Sequence, residues 1–147
     1  PIISYNFGAR NKQRVSQTVR YGLIYVSVIM LIGIALLQLF ARQIVGIFSV
    51  TEESHQLCVL ALRIITCGFF FAGANIILQG VCQALGKGIY SLVISLLRFI
   101  VLVLPMAWAL SLTENAASLV WLSLPVAEAG ACVAAILLTR KIYRKAL

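Results

Sequence analysis

The sequence contains no aspartate, and its whole acidic complement is four glutamates: Glu52, Glu53, Glu114 and Glu128. It has one histidine, His55, with no acid placed to orient it. Hydrolytic and metal-assisted chemistry need paired carboxylates, nucleophile–base sets or clusters of His, Cys, Asp and Glu. None of these sets can be assembled here, and no glycine-rich phosphate loop is present, so the protein is not expected to be an enzyme or to carry a metal or cofactor. The cysteines Cys58, Cys67, Cys82 and Cys132 form no C-x-x-C pair. All lie in or beside apolar stretches, where cysteine behaves as a small hydrophobe. Charge is scarce altogether: 11% of residues are charged, against about 25% in an ordinary soluble domain. With 62% apolar residues in 147, a soluble fold could not hide its apolar surface, so lipid must be the solvent for part of the chain.

What is present is four long apolar runs, at about residues 21–40, 57–85, 90–112 and 116–139. Each reaches the roughly 20 residues that a helix needs to cross a hydrocarbon core of about 30 Å. Isolated strands would leave backbone groups unpaired in lipid. The expected fold is therefore all-α: a transmembrane bundle of four spanning helices, preceded by the end of another helix. Gly8 is expected to close that first helix as its C′ residue, before the basic turn Gly8–Arg14. Thr51 followed by Glu52 and Glu53 marks a helix start, with a hydroxyl cap and acids in the first turn. Gly86-Lys87-Gly88 and Thr113-Glu114-Asn115 are expected as tight turns. No linker divides the chain, so residues 1–147 read as one bundle, and with no initiating Met or signal peptide it reads as the tail of a longer protein.

The net charge of +8 does not point to nucleic acid, because the bases stand at the ends of apolar runs rather than in a patch interleaved with aromatics. They give an orientation instead. Arg10, Lys12, Arg14, Arg20, Lys87, Arg140, Lys141, Arg144 and Lys145 fall on one side, and only Arg42 falls on the other, with Glu52, Glu53, Glu114 and a solvated His55. The excess of bases marks the cytoplasmic face. A multi-pass protein of the cell membrane, with both ends of this segment cytoplasmic, is the expectation.

Inside the spans a few residues stand out. On a helical wheel Gly68, Ala72, Asn75, Gln79, Cys82 and Gly86 share one face of the second run, with Gln83 beside it. Phe70, Ile77 and Val81 take the opposite face, which looks suited to lipid. Asn75, Gln79 and Gln83 are candidates for lining a solute cavity, although amides and small residues also join membrane helices to one another. Arg98 and Glu128 are the only charges deep in the spans, whereas Arg63 lies nearer an end and is expected to snorkel outward. A charge at a helix centre costs roughly 2.5–3.5 kcal/mol on insertion scales. Arg98 and Glu128 lie at depths of roughly 12 and 17 Å from the same end at 1.5 Å per residue, so an intramembrane pair is expected, either as a structural bridge or in ion or solute movement. Pro105 and Pro125, mid-span, are hinge candidates.

The opening PIISYNFGARNKQRV resembles a segment of the multidrug and toxic compound extrusion (MATE) transporters, with Pro1, Ser4, Tyr5, Asn6, Gly8, Ala9 and Asn11 matching their P-x-I-S-Y-N-[YF]-G-A-x-N pattern. The likeness continues through LRIITCGFFFAGANIILQGVCQALGKG and WLSLPVAE, over essentially the whole chain. The resemblance, closest to the DinF-like branch, implies a twelve-helix, two-lobe antiporter that exchanges protons or sodium for small organic, often cationic, solutes. This chain would be the C-terminal part of its second lobe, working with lipid and with an N-terminal lobe that lies outside it. That lobe holds the branch's proton-coupling acids. The sodium-coupled branch keeps an acid in the tenth span, yet residues 57–85 contain neither Asp nor Glu, which leaves the coupling ion, proton or sodium, unassigned. A flippase of lipid-linked saccharides from the same superfamily and a non-transporting membrane scaffold or subunit are the alternatives.

Overall fold

The computed structural model describes residues 1–48 and 51–146, the side chains of 144–146 excepted. The basic side chains of Arg144 and Lys145, counted above for orientation, therefore lie outside the described residues. The described residues form helices and turns: α1 (Ile2–Gly8), α2 (Lys12–Leu39), α3 (Ala41–Gly46), α4 (Glu52–Cys67), α5 (Phe69–Ala84), α6 (Gly88–Leu96), a π-helical segment (Leu97–Val103), α7 (Leu104–Ser111), α8 (Ala116–Leu119), a 3₁₀ turn (Val120–Leu122) and α9 (Ser123–Ala146). Three continuous helices, Lys12–Leu39, Gly88–Ser111 and Ala116–Tyr143, are long and apolar enough to cross a membrane. Helices α4 and α5 pass the same test as one span bent by 46°. The protein is an all-α, multi-pass membrane bundle.

Short-range chemistry sets the ends of these helices. The first turn is tighter than the sequence suggests: α2 already begins at Lys12, so Lys12, Arg14 and Arg20 are helical. Gly8 is the last residue of α1, and the left-handed C′ position falls on Arg10 (φ 54°). The N–H of Asn11 donates to the Asn6 carbonyl at 2.9 Å and that of Arg10 to the Phe7 carbonyl at 2.9 Å, the paired bonds of a Schellman end. Asn11 then caps α2, its Oδ1 accepting from the Arg14 N–H at 3.1 Å. The turn after α5 has the same plan with glycine where it is needed. Gly86 (φ 71°) follows Ala84 and Leu85, and the Lys87 and Gly86 N–H groups donate to the Cys82 and Gln83 carbonyls at 2.9 and 3.0 Å. Thr51 does precede α4, with Glu52 and Glu53 in its first turn. Its hydroxyl donates to Ser54 Oγ at 3.0 Å instead of accepting from the backbone. His55 is not simply solvated: its Nε2 lies 3.2 Å from the Arg42 carbonyl and ties α4 to the short helix α3.

Helix α5 is the hub, packed against α9 on one side and α2 on the other. This corrects the assignment of Ile77 and Val81 to lipid, whereas Phe70 of the same face is exposed. Val81 is buried and Ile77 partly buried, covered by Ile3 and Phe7 of α1 and Val19 of α2, in a core with Leu78, Cys82, Leu85, Ile94, Ala135 and Ile142. Gly22 of α2 receives Ile77, whose Cγ2 lies 3.7 Å from where a Cβ would stand. Ile76, one residue along, is the more exposed position. A helical wheel gives directions but not neighbours, and the approach of α1 and α2 makes this part of the face interior.

The second span, which contains no proline, is not one helix: it bends at Gly68. There the Gly68 N–H turns back to the Ile65 carbonyl in a 3₁₀ bond of 3.0 Å. In lipid a disturbed turn must find internal partners. The Arg63 carbonyl accepts from Gln38 Nε2 (2.8 Å), Thr66 Oγ1 (3.1 Å) and Cys67 Sγ (3.2 Å), and Gln38 also donates to Thr66 Oγ1 (2.9 Å). Gln38 is thus the polar residue of the first span with a structural task. Glycine is required at 68 because Pro125 presses on it: an added Cβ would stand 2.8 Å from the Pro125 Cα and 3.1 Å from its Cβ. Pro125 itself enters α9 at its third residue, directly after the 3₁₀ turn. Pro105 follows the π segment, whose wider turn accommodates a ring that would clash with the carbonyl four residues back.

Because the atom met at Gly68 is backbone, no rotamer change relieves the clash. Gly68→Ala is expected to lower stability by about 1–3 kcal/mol, the usual cost of overpacking, in thermal unfolding of the detergent-solubilised protein followed by circular dichroism. Gly33→Ala, at a mid-helix site with nothing within 4 Å, should leave the transition unchanged or raise it slightly.

Candidate functional site: a polar seam around an intramembrane charge pair

The residues singled out inside the spans lie mostly in one seam where α5, the third span and α9 meet. Asn75, four residues before Gln79 and eight before Gln83, points from α5 toward α9 and is fully buried. Its Nδ2 donates to the Glu128 carboxylate Oε2 at 2.8 Å and to the Glu128 main-chain carbonyl at 3.1 Å. Arg98 approaches the same carboxylate from the π segment, its Nη1 at 3.3 Å from both Oε1 and Oε2. The guanidinium carbon stands 4.3 Å from the centre of the Phe99 ring, a cation–π distance. The Arg98 and Glu128 side chains are 16% and 18% exposed. They form the one ion pair between side chains among the described residues.

From this pair the seam runs along α5 and α6 toward the Gly86 turn. Ser95 Oγ donates to Gln79 Oε1 at 2.8 Å, Ser91 Oγ to the same oxygen at 3.4 Å, and Gln83 Nε2 to Ser91 Oγ at 2.9 Å. On the α9 side Cys82 Sγ and Thr139 Oγ1 lie 3.6 Å apart. All three candidate amides are therefore engaged with neighbouring helices, Gln83 at an exposed edge. The small residues on this face have the same use: Gly68 takes Pro125, and Gly130 of α9 takes Leu102, whose Cδ1 would lie 3.2 Å from a Cβ there. Pro105 and Pro125 are not part of the seam's hydrogen bonding. Gln38 and Thr66 make a second polar contact at the bend and were not singled out from the sequence. The only signal was a lone amide in an otherwise apolar run of 20.

Among the described residues three buried side-chain polar atoms lack a partner: Asn75 Oδ1, Arg98 Nε and the Trp121 indole nitrogen. Two of them belong to the seam, at the charge pair. In a low-dielectric setting such groups are costly. The chemistry on offer is charge neutralisation and hydrogen bonding at mid-membrane depth. Among the described residues no group of three or more His, Cys, Asp or Glu could hold a metal.

The pairing has a thermodynamic signature. Arg98→Gln and Glu128→Gln should each destabilise the protein, since each strands one charge. The double variant should lose less than the sum, with a coupling of about 0.5–3 kcal/mol, reduced toward the lower end by the partial exposure of both groups. Chemical unfolding in detergent of the four proteins measures it, and strictly additive losses would dissolve the partnership.

A family model described as MatE matches residues 1–109. Two curated relatives align along most of the chain. An FAD transporter of Shewanella oneidensis is 28% identical over 126 residues, covering 86% of this chain and 28% of its own length. The multidrug export protein MepA of Staphylococcus saprophyticus is 24% identical over 138 residues, covering 94% of this chain and 30% of its own length. The crystal structure of the Vibrio cholerae MATE transporter VcmN in the bent form superposes with a TM-score of 0.91 at 25% identity, over 99% of this chain and 33% of that one. The chain thus spans about a third or less of the proteins it matches, in the same order of helices. Members of this family are membrane transporters and not enzymes, and on the match of residues 1–109 the chain belongs to the MatE family.

Proposed function

We propose that this chain is the C-terminal part of the second lobe of a secondary antiporter that exports small organic solutes in exchange for protons or sodium. The observation that carries this is the family match over residues 1–109, supported by the alignment of 94% of the chain with a multidrug export protein. An N-terminal lobe and the lipid bilayer are the partners the proposal requires. The lack of any acid between residues 57 and 85 favours proton coupling and the DinF-like branch. Organic cations are the first substrate class. A second class, flavin nucleotides, is favoured by the 28% identity to a protein described as an FAD transporter.

Transport is measured in vesicles holding the transporter that contains this chain. An outward solute flux driven by an imposed proton or sodium gradient is expected, with an organic cation and FAD tested in parallel. Absence of gradient-driven movement of either solute would overturn the proposal. Asn75, Gln79 and Gln83 are proposed to border the solute path from the seam. Gln79→Ala should lower flux several-fold while expression and folding persist; unchanged flux in both Asn75→Ala and Gln79→Ala would leave these amides a packing role alone.

The orientation proposed puts Lys87 and the chain beyond Arg140 in the cytoplasm and Glu52, Glu53 and Glu114 outside, because Lys and Arg concentrate on the cytoplasmic side. In a background without native cysteines, Lys87→Cys and Glu114→Cys should react with a membrane-impermeant thiol reagent from opposite sides. Reaction of both from one side would contradict the four-span topology.

A further inference from the structure

We propose that Glu128 is a reversible proton-binding carboxyl, surrounded by groups that satisfy it both with and without its proton. In the arrangement observed the carboxyl has only donors around it: Asn75 Nδ2 donates to it at 2.8 Å and Arg98 Nη1 faces both of its oxygens at 3.3 Å. The other half of the Asn75 amide is the informative part. Its Oδ1 is buried and without a donor, in a side chain that is fully buried. A side-chain amide presents a donor and an acceptor side by side, the complement of the acceptor and donor of a neutral carboxylic acid. An ionised Glu128 uses only the donor. A protonated Glu128 supplies the O–H that Asn75 Oδ1 lacks, and the pair is then joined by two hydrogen bonds.

The cation is arranged in the same sense. A charge-assisted N–H···O bond is commonly about 2.7–2.9 Å, and a strong Arg–carboxylate pair is a two-pronged fork. Here one nitrogen spans both oxygens at 3.3 Å, and Arg98 Nε has no acceptor. The bridge is loose enough for one proton to release it. The step balances simply: a proton from water adds to a Glu128 oxygen, no covalent bond breaks, and the pair goes from zero to +1. The residual charge stays on Arg98, eased by the Phe99 ring face at 4.3 Å and by its 16% exposure. The π segment carrying Arg98 is a wide turn of the kind that recurs at functional sites.

Two titratable or charged groups stand beside Glu128: Arg98 from the third span and Cys132, four residues along α9 on the same helix face. On the other elements packed against α9, Arg63 of α4 is exposed, Cys82 of α5 is engaged with Thr139, and Tyr90 of α6 belongs to the core near the Gly86 turn. The proposal deepens the transport function above by giving it a coupling ion, and so rests on it for its meaning. Its test does not require transport.

The test is infrared difference spectroscopy of the protein in lipid vesicles during acidification. The wild type should develop the carbonyl stretch of a protonated carboxylic acid, shifted by ¹³C labelling of glutamate. Glu52, Glu53 and Glu114 contribute to this band in every variant, so the Glu128 component is the part missing from Glu128→Gln and from the charge-neutral double variant Arg98→Gln/Glu128→Gln. The double variant serves as the blank if the single one fails to fold. In Arg98→Gln, without the cation beside Glu128, that component should appear at a higher pH than in the wild type. In Asn75→Leu it should move to the frequency of an acid without hydrogen bonds. Identical spectra from wild type and double variant, with helix content retained, would overturn the proposal. A Glu128 band unmoved in Asn75→Leu would overturn the part given to Asn75. Proton uptake in a protein that moves no solute would count against the transport function and not against the proton site.

Discussion

A charge in hydrocarbon must find its opposite or reach water, and that requirement governs how the helices of this bundle meet. Glu128 projects from α9 at a depth where insertion alone is unfavourable by roughly 2.5–3.5 kcal/mol. It is received by Arg98 from the third span and Asn75 from the bent second one. Because three spans contribute to one carboxylate, none can rotate or slide by a turn without exposing a charge to lipid. The small residues on the α5 and α9 faces follow from this. The helices must approach closely for short side chains such as Asn75 to reach, and Gly68 and Gly130 allow it by giving room to Pro125 and Leu102.

The same rule applied to the backbone explains the α4 half of the second span. A helix bent by 46° inside a bilayer needs partners for disturbed carbonyls, and Gln38 with Thr66 and Cys67 meets that need at Arg63. The bend in turn lets α5 lie against α9 while α4 reaches toward α3, where His55 holds the Arg42 carbonyl. Two polar contacts, one at the seam and one at the bend, thus divide the labour. One fixes which faces of the spans meet, and the other fixes how the second span changes direction.

The legible part of this fold is the part governed by composition and length. The scarcity of charge and four apolar runs point to a membrane bundle because hydrocarbon admits few alternatives. The meeting of Arg98 and Glu128 followed from two depths and one short turn. The details that depend on neighbours were not legible. Val81 and Ile77 looked lipid-facing because a wheel cannot show that α1 and α2 lie over them. The bend at Gly68 was hidden because the second run holds no proline to mark it, and the bend lies where the Pro125 backbone of another span crosses a glycine. Gly8 looked like the C′ residue, yet the chain spends its left-handed position on Arg10, which the Asn11 cap and the start of α2 at Lys12 require.

The two polar contacts also differ in how completely they are satisfied. At the bend Gln38 Nε2 has three acceptors within reach, counting Cys67 Sγ at 3.8 Å. At the seam Asn75 Oδ1 and Arg98 Nε are left over. A fully satisfied contact has one arrangement and resists change. An under-satisfied one in low dielectric is a local high point, and any event that supplies the missing donor or acceptor lowers it. The bend therefore leaves no buried side-chain polar atom unpaired among the described residues, and the surroundings of Glu128 are where a supplied donor or acceptor has most to offer.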